Sequence, residues 1–264
     1  MKPPCLLMPN KFTYRSDEKE LLDKSNINRG LLNKNLRELD MLNRTTGGHA
    51  VSLKGIKQLI TDHDKVYHVV DLGCGSGDAL KAIADWARLN NYQVKLTGVD
   101  WNADAIDYLK IHCVNYPEIS GITADYQDYL NRNESIDIVH CSLFCHHLND
   151  DELLRLFIYF RKHVKTGFII NDLKRHWLAY YSAWIFTRLL NGTELAKNDG
   201  PVSVLRGFKS GELIYLLNKA NIVDYSIQEE WAFRYLIISK TSSTSNRVIQ
   251  ENLVRTQNFN TSIL

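Results

Sequence analysis

The sequence predicts an α/β domain built on a doubly wound, mainly parallel sheet. Three observations carry this prediction. From Tyr67 onward, short apolar segments alternate with longer amphipathic ones. A glycine-rich loop follows the first apolar segment, as ligand loops do in such folds. The last two apolar segments are separated only by a short turn around Gln228 to Trp231, so they must pair antiparallel, because a parallel crossover needs a dozen or more residues.

Taken in chain order, residues 1–20 are polar and proline-containing and read as a loose arm. In "ELLDKSNINRGLLNKNLRELDMLNR" (20–44), Leu21, Leu22, Leu31, Leu32, Leu36, Leu39 and Leu42 recur at near-helical spacing and predict one or two helices. Gly47 and Gly48 break the pattern, and "HAVSLKGIKQLITDH" (49–63) resumes it. Strands are predicted at 67–72, 93–100, 121–123, 135–141, 166–172, 221–228 and 233–240. The stretches "GDALKAIADWARLN", "NADAIDYLKIHC" and "NDDELLRLFIYFRKH" between the early strands are long enough for right-handed crossovers. Three regions follow: an N-terminal arm with helices packing on the domain (1–64), the core domain (65–240) carrying an insertion at 173–206, and a polar C-terminal extension (241–264).

A chain of 264 residues with 44% hydrophobic composition can bury a large core. The 32 basic and 30 acidic residues leave a formal charge of +2, which gives no global pull toward nucleic acid or anionic membrane. The five cysteines (Cys5, Cys74, Cys113, Cys141, Cys145) follow no disulfide framework and read as reduced thiols. The apolar stretch in "MKPPCLLMPNKF" is too short for a signal-peptide core, and no segment approaches 18 apolar residues. The expectation is a soluble, cytoplasmic protein without stable membrane insertion; oligomeric state is not specified.

"VVDLGCGSGDAL" (69–80) carries the chemistry. A strand ending in Asp71 and followed by Gly73, Gly75 and Gly77 lets the backbone turn sharply and approach a ligand closely. A dinucleotide fingerprint would place its third glycine at 78, where this chain has Asp78. An acid at that helix N-terminus opposes a pyrophosphate, so the ligand is expected to lack phosphates. Asp100, at the end of the second strand, is placed to accept hydrogen bonds from ribose hydroxyls, and Trp101 to lie against an adenine. Asp125 and Tyr126, in "ADYQDY" after the third strand, are candidates for the adenine end.

On these residues the sequence resembles the class I S-adenosylmethionine-dependent methyltransferase family over roughly 65–240. "VVDLGCGSG" is similar to its first motif, "LTGVDWN" to its ribose-binding segment, "ADYQDY" to its adenine-binding segment, "IDIVHCSLFCHHL" to its fourth-strand motif and "GFIINDL" to its fifth strand. The resemblance implies a Rossmann-like seven-stranded sheet and S-adenosyl-L-methionine as cofactor. The candidate cofactor set is Asp71, Gly73, Cys74, Gly75, Gly77, Asp100, Trp101, Asp125, Tyr126 and Cys141, with Arg44 for the cofactor carboxylate. A sulfonium cofactor without phosphates also accounts for Asp78.

Methyl transfer is an in-line displacement that needs a positioned nucleophile, and a base only if that nucleophile carries a proton. Base candidates belong just beyond strands four and five, where His146, His147 and His176 lie, with His147 favoured. His140 falls within a strand and reads as packed. Cys141, Cys145, His146 and His147 form one cluster without a second knuckle, so no metal is expected. In the insertion, "WLAYYSAWIFTRLL" is an aromatic-rich helix, one face of which is expected to close an acceptor pocket, and "NDGPVSVLRGF" contains a predicted Asp-Gly-Pro turn and Arg206. With "NDLKRHWLAYY" and "LNRTTGG", these segments resemble methyltransferases of bacterial secondary metabolism acting on phenolic, quinone-like or polyketide-derived molecules. The expected partner is a small-molecule methyl acceptor methylated at O or C, not nucleic acid: the base-methylating Asn/Asp-Pro-Pro-Tyr/Phe motif and the Pro-Cys nucleophile are both absent after strand four. The alternatives are a non-catalytic S-adenosylmethionine-binding partner or regulatory protein, a nucleic-acid methyltransferase and a NAD-dependent oxidoreductase.

Overall fold

The computed structural model describes residues 10–24 and 26–241. Seven strands, β1 (Val66–Leu72), β2 (Gln93–Asp100), β3 (Ile119–Thr123), β4 (Ile136–Ser142), β5 (Val164–Leu173), β6 (Tyr225–Glu230) and β7 (Arg234–Lys240), form one sheet in the order β3-β2-β1-β4-β5-β7-β6. The first five run parallel, and β7 is antiparallel to both β5 and β6. The short turn read from the sequence therefore reverses the chain as required.

β1 is buried at every position after Val66, as expected for a central parallel strand covered on both faces. Helices α2 (Gly48–Leu59), α3 (Asp78–Leu89) and α4 (Ala103–His112) pack on one face through Ile56, Leu80, Ile83 and Leu109 against Val69, Leu96 and Ile138. The opposite face carries α5 (Tyr126–Leu130), α6 (Asp150–His163) and α9 (Ser210–Lys219), with Phe157, Phe160 and Leu217 against Val139, Phe168 and Ile170. An Asn149/Glu152 capping box starts α6. β3 and β5 begin two residues earlier than predicted. β6 begins later, because Asn221 takes a left-handed conformation (φ 57°) after α9 and Ile222 turns into the core.

The insertion differs from expectation in two ways. It folds as paired helices, α7 (Trp177–Leu189) and α8 (Glu194–Arg206), and the predicted Asp-Gly-Pro turn lies inside α8. Pro201 cannot donate to the Lys197 carbonyl; Arg188 Nη1 reaches that oxygen instead, at 3.4 Å. The aromatic helix α7 does not line the glycine-loop cleft: Tyr180 and Trp184 instead wall a separate 400 Å³ cavity with α8, and Trp177, Tyr181 and Phe186 are largely exposed.

The arm, by contrast, is docked. Arg15 reaches the carbonyls of Leu148 (2.7 Å) and Arg206 (3.0 Å), and the Asp199 carboxylate caps the backbone N–H groups of Leu21 and Leu22. These contacts bring the turn Leu21–Asp23 against the C-terminal ends of the strands before α1 (Arg29–Thr45) begins. The predicted extension after Lys240 lies, from residue 242 on, outside the described residues, as do residues 1–9. Among the described residues no helix is long and apolar enough to cross a membrane.

Candidate functional site

The glycine loop leaves β1 at Leu72 and is tied at once to its neighbour, Gly73 and Cys74 donating to the Val99 carbonyl at 2.8 and 3.1 Å. Gly73 (φ 70°) takes a left-handed conformation, and a Cβ there would run into the Phe144 ring. Gly75 (φ 50°) donates to Asp100 Oδ2 at 3.0 Å, while Asp100 Oδ1 accepts from Asn102 N–H at 2.9 Å. Burial pushes the Asp100 carboxyl up from its ordinary range, against these two N–H donors. The loop and the end of β2 are thus one rigid unit.

Around this unit lies a cavity of 330 Å³, at the C-terminal ends of the strands, between β1 and β4, where the strand order reverses. Asp71, Gly73, Cys74, Gly75, Asp100, Trp101, Asp125 and Tyr126 all line it. Asp125 caps α5 by accepting from Gln127 N–H at 2.8 Å, and Tyr126 packs edge-on to Phe144. Trp101 is 48% exposed, a free ring face at the rim. Gly77 (φ 72°) stands behind the lining as the N-cap of α3.

Charge is the distinctive property of this cleft. Asp23, Asp71, Asp78, Asp100, Asp125 and Glu152 line it, and no lysine or arginine does among the described residues. Asp78 is held by Ser76 Oγ (2.8 Å) and Asn43 Nδ2 (3.3 Å). Asp71 is buried and paired with His140, whose Nδ1 lies 2.7 Å from Asp71 Oδ1 and whose Nε2 lies 2.8 Å from Ser52 Oγ. Burial still raises the Asp71 carboxyl, with His140 opposing. His140 is packed, as expected, and it also fixes the acid beneath the loop.

Three candidates fall outside the cleft. Cys141 is fully buried with Cys145 in the core behind β4, because its side chain takes the opposite sheet face from His140. Arg44 projects to solvent and pairs with Asp40 at 2.9 Å; its helix neighbour Asn43 lines the cleft instead. His176 caps α7, accepting from Leu178 N–H at 3.2 Å, and stacks on Phe233, so it does not reach the site.

His146 and His147 do lie at the site. His147 lines the cleft and also a second cavity of 640 Å³ walled by Tyr14, Arg15, Lys19, Asp23, Arg206 and others. Its Nδ1 is 2.9 Å from Asp23 Oδ1. His146 is buried, with Nδ1 2.7 Å from Asp172 Oδ1 and Nε2 3.3 Å from Glu20 Oε1. Burial disfavours its charge, yet Asp172 and Glu20 outweigh this and raise its pKa to about 10. Glu20, Asp23, Asp172 and Arg206 were not singled out as site residues by the sequence. Only the acid pair in "ELLD", spaced as a capping box, offered a signal.

A sheet of this order with an acid-ended β1, a glycine loop and carboxylates after β2 and β3 defines a methyltransferase fold. Residues 69–167 match the family model described as a methyltransferase domain. Among solved structures, human N-acetylserotonin methyltransferase in complex with S-adenosylmethionine is similar with a TM-score of 0.59 and 13% identity, over 82% of this chain and 57% of that one. The plantazolicin methyltransferase BpumL in complex with S-adenosylhomocysteine gives 0.58 and 15%, over 81% and 95%. An S-adenosylmethionine-dependent methyltransferase from Aquifex aeolicus gives 0.54 and 14%, over 82% and 100%. At these identities the likeness is one of fold. No curated protein matches the sequence.

Proposed function

We propose that the protein transfers a methyl group from S-adenosyl-L-methionine to an oxygen or carbon nucleophile of a small aromatic, quinone-like or polyketide-derived acceptor. The observation that carries this is the wholly acidic cleft at the glycine loop. Six carboxylates favour a sulfonium and an ammonium group and repel a pyrophosphate, so a dinucleotide is disfavoured by the same charges. Asp100 binds the ribose, Trp101, Asp125 and Tyr126 surround the adenine, and the loop backbone holds the methionine end.

The acceptor occupies the second cavity, which meets the cleft at His147. Its wall carries both signs of charge, Arg15 and Lys19 beside Asp17 and Glu212, which suits a polar acceptor with an ionisable hydroxyl better than a lipid chain. With His147 Nδ1–H donating to Asp23 Oδ1, the Nε2 lone pair is left to receive the acceptor's proton as the methyl group moves. The test is incubation with methyl-labelled S-adenosylmethionine and a panel of phenols, quinols and enolisable diketones. Label in a phenolic or enolic product supports the proposal. Cofactor binding without label in any acceptor would instead favour a cofactor-binding partner protein.

A further inference from the structure

We infer that Glu20, His146 and His147 form a binding site for a single divalent transition-metal cation of the zinc class. Their ligand atoms all lie within 4.8 Å of one another. His146 Nε2 is 3.3 Å from Glu20 Oε1, and His147 Nε2 is 3.8 Å from Glu20 Oε2. Tetrahedral ligands at zinc distances stand about 3.3 Å apart, so little movement seats the ion.

Two further features belong to a metal site rather than to a chance cluster. Each histidine has its other ring nitrogen against a carboxylate, His146 Nδ1 at Asp172 (2.7 Å) and His147 Nδ1 at Asp23 (2.9 Å). That arrangement fixes both rings with Nε2 converging on Glu20, the outer-shell pattern of histidine metal ligands. Glu20 is only 3% exposed, and its buried Oε1 faces His146 Nε2 at 3.3 Å, a long contact for a buried carboxylate oxygen. A buried carboxylate oxygen left this way is costly, and a cation satisfies it. Local charge also favours a cation: Glu20, Asp23 and Asp172 are three acids around two imidazoles, with the Arg206 and Arg15 guanidiniums turned to the backbone carbonyls of residues 146–148 rather than to these acids. Two imidazoles and one carboxylate select a transition metal over magnesium or calcium.

His146 and His147 both line the second cavity, so an ion held by them would be reachable from it. Only the acceptor's part rests on the proposed function: a bound ion would occupy the His147 Nε2 lone pair, would lower the pKa of an acceptor hydroxyl, and the hydroxyl proton would then leave to solvent rather than to His147.

The experiment uses the untagged full chain, stripped with chelator, in separate calorimetric titrations with zinc chloride and S-adenosylhomocysteine. The wild type is expected to bind one equivalent of zinc. Glu20→Gln and His147→Ala should lose that equivalent, Asp23→Asn should weaken it about 10- to 100-fold, and His49→Ala, in the separate Asp40/His49/Asp78 cluster, should keep it. Circular dichroism and the melting temperature show which variants are folded. A wild type that binds S-adenosylhomocysteine but no zinc, or zinc binding retained in a folded Glu20→Gln or His147→Ala, overturns the site. Zinc binding without S-adenosylhomocysteine binding would overturn the methyltransferase proposal and leave the metal site standing.

Discussion

Asp100 spends both carboxylate oxygens on backbone N–H groups, yet each oxygen keeps a lone pair for a ligand hydroxyl. Asp100→Ala should therefore weaken S-adenosylhomocysteine binding by about 1.5–3 kcal/mol, measured by calorimetry; an unchanged affinity would remove Asp100 from the site. Gly73→Ala should abolish binding, since both the left-handed backbone and the Phe144 ring oppose a Cβ there. His146 gives a pH prediction. Its pKa is raised from 6.5 to about 10, so its stabilising charge is complete below pH 6.5 and is lost as pH rises through 10. In chelator, the melting temperature should fall between pH 7 and 10, and His146→Asn should flatten that slope. Gly73, Gly75 and the acids at 71, 100 and 125 meet at one cleft, a placement legible in sequence because it follows from position at a strand end. Arg44 and Cys141 were misplaced because neighbouring side chains on a helix or strand face different directions, and sequence spacing alone did not fix the facing.

At the scale of elements, the arm is the part that sequence could least reveal. Its acids are 124 residues from His147 along the chain, and they meet it only because Arg15, Asp199 and Arg206 bind the arm's backbone or its surroundings. Arg206 donates to the carbonyls of Glu18, His146 and His147. Arg206→Ala leaves the Glu18 and His147 carbonyls without a donor, since His146 keeps Arg15, and should destabilise the protein by roughly 2 kcal/mol or more, seen as a lower melting temperature and faster proteolysis within residues 10–24. The aromatic helix misled for the opposite reason. α7 is rich in rings, but they meet Lys11, Phe12 and α8 rather than the glycine-loop cleft, and Phe186 is 58% exposed. Phe186→Ser should change stability by no more than about 0.5 kcal/mol and leave turnover unaltered; a large loss of turnover would restore α7 as a lid.

For the whole molecule, strand and helix alternation was enough to anticipate the sheet, because buried parallel strands leave a strong apolar signature and crossover lengths restrict the order. The near-neutral total charge hid the feature that matters most, since charges cancel over the surface while one cleft collects six acids. Asp78 was the local hint of that field. The field is also what separates the two cofactor classes a glycine loop can serve. Calorimetric titration of the same preparation with S-adenosylhomocysteine and with NADH tests this most directly. Saturable one-to-one binding of S-adenosylhomocysteine and none of NADH is expected; tight binding of NADH alone would overturn the acidic cleft as a sulfonium site.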